Sequence, residues 1–100
     1  MRVIFTLLAE RQIDRLHEYI SLHSGGARAD GFVGRIIVYC EGLGAFPMRG
    51  TARDDLLEGL RTTGFERSVT IAFVVTAAAV LIEGIYYGGQ DFEAAYHDER

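Results

Sequence analysis

Between Val69 and Ile82 the chain is almost wholly apolar, and the run is closed by Arg67 on one side and Glu83 on the other. About fourteen residues cannot cross a bilayer, which needs roughly twenty. Such a run must therefore be buried inside the protein itself. It divides into "VTIAFVV", a small-residue "TAAA", and "VLIEGIYY". The outer pieces are rich in β-branched and aromatic residues and the middle piece can turn, which predicts a β-hairpin. With one hundred residues, 49% of them apolar and a single proline, the chain has material for one domain over residues 1–100 and no more.

The N-terminal half alternates between two periods. "RVIFTLL" places Val3, Phe5 and Leu7 on one side and Ile4, Thr6 and Leu8 on the other, which predicts a strand covered on both faces. From Glu10 to Ser24, Ile13, Leu16, Ile20 and His23 recur at helical spacing, and Gly25-Gly26 supplies a stop. A second helix is expected from about Ala29 to Leu43, with Phe32, Val33, Ile36, Cys40 and Leu43 on one face and "GLG" before Pro47 as its end. The short connection makes the two helices an antiparallel hairpin.

A further strand is expected around Leu60–Phe65, and a short terminal helix opening at Asp91 with Glu93 in its first turn. The predicted order is β-α-α-β-β-β plus a short C-terminal helix. That is an α+β fold with a two-helix hairpin on a small, mostly antiparallel sheet. Met1–Leu8 has no secretory pattern, so a cytoplasmic location is expected, and the lone Cys40 cannot close an internal disulfide.

Chemistry-bearing residues are few. The net charge is −4 and all ten basic residues are arginines. An acidic balance argues against generic nucleic-acid binding, which rests on cation–phosphate contacts. Arg49, Arg53, Arg61 and Arg67 nevertheless gather beside the hairpin, diluted by Asp54, Asp55, Glu58 and Glu66. Glu58 and Glu66 are candidate partners for Arg61 and Arg67, in surface pairs worth about 0 to 1 kcal/mol. Tyr86 and Tyr87 close the last strand and must face opposite ways on a regular strand. His17, His23, His97 and Cys40 show no ligand spacing, so neither metal nor cofactor is expected, and Gly88-Gly89 reads as a tight turn.

"FPMRG" after the helical hairpin, "EGLRTTGFERSVTIAF" entering the sheet and "IYYGGQDFE" at its end resemble toxins of the RelE/ParE superfamily, over nearly the whole chain. The resemblance implies a growth inhibitor of a type II toxin–antitoxin system, neutralised by a cognate, ParD-like antitoxin. RelE-like members are ribosome-dependent mRNA endoribonucleases; ParE-like members are associated with inhibiting DNA gyrase. RNA cleavage needs a base, stabilisation of the charged phosphorane and a proton for the leaving oxygen. Here Arg61, Arg67, Tyr86 and Tyr87 are the candidates. The resemblance puts an arginine of the nuclease pattern where this chain has Gly84. The ParE-like reading is therefore preferred, with no catalytic residue and with Arg49, Arg53, Arg61, Arg67 and Tyr87 as target contacts. An mRNA interferase and a non-toxic relative kept for antitoxin binding are the alternatives. The antitoxin is expected to wrap the chain with an extended arm that folds on binding, laying a helix on the helical hairpin at Tyr19, Ile37, Val38 and Tyr39, which fall off the core stripes, with a segment along a sheet edge as a further option.

Overall fold

The computed structural model describes residues 1–96; His97 lies outside them. Five strands form one sheet in the order β1-β5-β4-β3-β2, with β1 at Arg2–Phe5, β2 at Thr51–Ala52, β3 at Leu60–Phe65, β4 at Val69–Val75 and β5 at Ala79–Tyr87. β1 runs parallel to β5, and all other pairings are antiparallel. Helices α1 (Leu7–Ser24) and α2 (Gly26–Gly42) cover one face of the sheet, and a five-residue 3-10 turn, Phe92–Tyr96, lies beyond β5.

The predicted hairpin is β4 and β5, joined at Thr76, whose Oγ1 accepts from the N–H groups of Ala78 and Ala79. The main core is built from Ile13 and Leu16 of α1, Val33, Ile36 and Cys40 of α2, and Ile71, Phe73, Val80, Ile82 and Ile85 of the sheet. Fully burying one such side chain stabilises by about 1.5–3 kcal/mol. These contacts, not local propensity, fix the layers.

Four expectations are corrected. β1 stops at Phe5, because the Thr6 Oγ1 accepts from the Ala9 N–H at 3.2 Å and starts α1 there. That cap converts Leu7 and Leu8 from strand to helix. β1 is also an edge strand, with Ile4 open to solvent, and is not covered on both faces. The helical break needs only Gly25, at φ +96; Gly26 already belongs to α2, three residues earlier than its spacing suggested. His23 is exposed at the end of α1, outside the core stripe.

Candidate functional site

The end of β5 carries the two adjacent phenols, and a bulge decides their directions. Phe73 pairs with Ile82 and Ala72 with Gly84, so Glu83 is an extra residue with no partner on β4. Before it Val80 and Ile82 face the helices; after it Ile85 and Tyr87 do. Gly84 and Tyr86 turn to the other face.

On the helix side Tyr87 sits in a line of rings along the margin between helices and sheet. Its centroid is 6.0 Å from Tyr19 and 6.0 Å from Phe32. The line continues from Tyr19 to His23 at 4.2 Å, and from Phe32 to Phe65 at 6.2 Å and on to Tyr39 at 5.2 Å. Arg49 then stacks over both Tyr39 and the exposed Phe46. Offset and tilted rings at these spacings gain beyond their burial alone.

On the opposite face Tyr86 is buried with Leu60 and Ala72, under Phe92 and Tyr96 of the terminal turn. Arg53 ties that turn down: its Nη2 donates to Glu93 at 2.6 Å and to Asp55 at 2.8 Å, with its guanidinium over the Phe92 ring. Asp91 accepts from the Glu93 N–H, as expected of the residue that opens the turn. Burial, followed by the neighbouring Tyr86 and Glu83, pushes the Tyr96 phenol up to about 12. The face is closed over Tyr86.

The four clustered arginines do not converge. Arg61 faces the helix side of β3 and donates to the carbonyls of Met48, Arg49 and Gly50, bracing the loop before β2. Arg67 lies in the β3–β4 turn, at the far end of β3, on a residue with φ +64. Five strand residues separate Arg61 from Phe65 inclusive, about 13 Å along the sheet. Glu66 pairs with Arg35 of α2 through two bonds of 2.8 and 3.1 Å, and not with Arg67. That bond to Arg35 holds the Glu66 carboxyl below its ordinary value.

A family model described as the ParE toxin of the type II toxin–antitoxin system parDE matches residues 3–92. This chain belongs to the ParE toxin family. A solved structure described as a chromosomal ParDE toxin–antitoxin system from P. aeruginosa superimposes with a TM-score of 0.76 at 22% identity, covering 88% of this chain and 96% of that one. Comparison with curated protein sequences gave no match.

In this ParE-family chain Tyr19 and Val38 are exposed, 50% and 68%, while Ile37 and Tyr39 are half-buried. Tyr39 shares a hydrogen bond of 3.0 Å with Thr63, so its phenol is already engaged. Cys40 is buried in the core, and burial followed by the charge of Glu41 pushes its thiol up to about 12. Among the described residues no three His, Cys, Asp or Glu side chains come together as a metal site, and no helix is long and apolar enough to cross a membrane. Gly88 makes the turn at φ +67, with its N–H on the Ser68 carbonyl.

Sequence reading passed over two side chains of the candidate site. Gln12 accepts from the Ile85 N–H and Gln90 from the Tyr87 N–H, both at 2.7 Å. A glutamine on an amphipathic helix and another in a turn carry no local sign of this. Only the length mismatch between β1 and β5 could have pointed to uncovered N–H groups.

Proposed function

We propose that the chain is the toxin of a type II toxin–antitoxin pair, that it acts by binding and not by catalysis, and that DNA gyrase is its target. The observation that carries this reading is the closed face over Tyr86. An RNA-cleaving site would need cations and a titrating phenol converging on one open surface. Here Tyr86 is buried, Tyr87 faces the helices, and Arg61 is spent on loop carbonyls. The space above Gly84 is filled by the Tyr86 ring.

Of the four arginines, Arg49 and Arg67 are the exposed ones, and we assign target contact to them, with Phe46 and Met48 beside Arg49. Arg53 and Arg61 hold structure. Gyrase action places the work in the cytoplasm. A cognate, ParD-like antitoxin covers the helical hairpin through the exposed Tyr19 and Val38, a reading supported by the apolar or amphipathic groups that the helices leave open, Leu7, Leu8 and Leu22 of α1 among them.

Expression of the chain alone in bacteria tests the target. Gyrase poisoning gives an SOS response with intact messages, and purified chain inhibits supercoiling. Rapid message cleavage inside ribosomes without SOS induction would replace the reading with an interferase; silence in both assays would leave antitoxin binding as the remaining role. Co-expression with the neighbouring reading frame tests the partner, with Tyr19→Asp and Val38→Asp as probes that leave the core untouched.

A further inference from the structure

The loop between α2 and β2 leaves two large apolar side chains in water and holds them still. Phe46 and Met48 flank Pro47 on one turn and are 64% and 69% exposed. Single exposed apolar residues are ordinary, but two on one turn beside an arginine make a patch. The turn is braced from several directions. Arg61 donates to the carbonyls of Met48, Arg49 and Gly50, and the Phe46 N–H reaches back to the Gly42 carbonyl at the end of α2. On either side of the turn Gly44 and Gly50 pack so closely on the Met1 and Thr62 carbonyls that neither position has room for a Cβ.

Arg49 is held in the same fixed way. Its guanidinium stacks on the Tyr39 and Phe46 rings, 5.6 Å from each centroid, and Tyr39 is itself anchored by its bond to Thr63. Among the described residues no carboxylate pairs with Arg49. Stacking leaves the edge of the guanidinium, with its N–H fork, for a partner, and that fork matches a carboxylate through two parallel bonds. Beside Met48 runs a cleft of about 320 Å³, lined by Ala52, Leu60 and Val75 among others. Phe, Met and Arg are the residue types that protein interfaces favour at their centres.

We infer that this turn is a preformed docking point for the target protein: Phe46 and Met48 enter apolar sockets on its surface, a carboxylate of the target meets Arg49, and one of its apolar side chains fills the cleft beside Met48. Charge selects a protein over a nucleic acid here. Asp54, Asp55 and Glu58 are exposed on the stretch that follows β2, in a chain of net charge −4, and repel a phosphate backbone, whereas a single carboxylate needs only the local cation. A braced turn loses little further freedom on binding, so more of the apolar burial appears as affinity. Arg61 is thus a positioning residue, which holds the turn without touching the target. The inference rests on the gyrase reading above and adds where the contact lies.

The test is calorimetric binding of the full chain to purified gyrase. Phe46→Ala and Met48→Ala each weaken binding by roughly tenfold, and neither moves the denaturation midpoint much, because both side chains are exposed. Arg49→Lys keeps the charge but loses the fork, and weakens binding about as much as Arg49→Ala. Arg61→Ala leaves every contact residue in place; it weakens binding by roughly threefold to tenfold, and the loss appears in the binding entropy. Full affinity in Phe46→Ala, Met48→Ala and Arg49→Lys overturns the inference and leaves the gyrase reading standing. Absence of gyrase binding by the wild type ends both. Tight binding to bare duplex DNA that Arg49→Glu abolishes puts nucleic acid on this turn and also overturns the inference.

Discussion

The Tyr86 ring lies over Gly84. A Cβ placed on Gly84 would stand 2.5 Å from Cε2 and 2.7 Å from the phenol oxygen of Tyr86, so this position is glycine because the ring occupies the room of a side chain. Gly84→Ala therefore overpacks a ring already held beneath Phe92 and Tyr96, and should cost about 1–3 kcal/mol. Chemical denaturation measures it. In the Tyr86→Leu background the same change should cost much less, because the obstructing ring is gone; equal costs in the two backgrounds would locate the strain elsewhere.

The Cys40 thiol should resist alkylation. It is fully buried and its ionisation is pushed up to about 12, while only the thiolate is nucleophilic. N-ethylmaleimide should label unfolded chain quickly and native chain only at the rate of opening. Cys40→Ser buries a hydroxyl in an apolar core and is expected to cost about 1–3 kcal/mol. Fast labelling of the native protein would contradict this burial.

Acid should loosen the tie between α2 and the β3–β4 turn. Its bond to Arg35 holds Glu66 below its ordinary 4.5, so the folded chain binds that proton more weakly than the unfolded chain. The stabilisation is complete above about 4.5 and is lost as pH falls through the lower folded value. The denaturation midpoints of wild type and Glu66→Gln should differ at neutral pH and converge in acid. Curves that stay parallel would mean the pair contributes nothing.

Arg61→Ala should leave the fold intact and free the loop before β2. The guanidinium donates to three carbonyls there, beside Gly50, which packs its backbone against Thr62 at φ +80. Limited proteolysis near Met48–Gly50 should accelerate, with a stability loss of about 1 kcal/mol. An unchanged cleavage pattern would show that Gly50 alone fixes the loop.

Much of this architecture was legible because long periodic segments report their own environment. Ile13 and Leu16, or Val33, Ile36 and Cys40, recur at helical spacing because one helical face is buried. Features that depend on partners distant in the chain were not legible. Thr6 ends β1 through its side chain, which simultaneously donates to the Ile82 carbonyl on the far hairpin. Glu66 has Arg67 next to it in sequence but finds Arg35 in space. The two-residue β2 is too short for any periodicity, and it exists because Thr51 and Ala52 lie beside Thr62 and Arg61. At the candidate site the opposed tyrosines were legible from simple alternation. It could not show the bulge at Glu83 or the turn that closes over Tyr86, because both depend on how β5 meets its neighbours.

The division of β5 into two faces bears on how ligands can compete. Tyr86 and Tyr87 are covalent neighbours, yet one belongs to the covered outer face and the other to the groove beside α1. A molecule filling that groove does not overlap one resting on the outer face, and a ternary complex is sterically open. Antagonism between two such ligands must then travel through the β5 backbone and its bulge as a coupling free energy, with each weakening the other by the same factor.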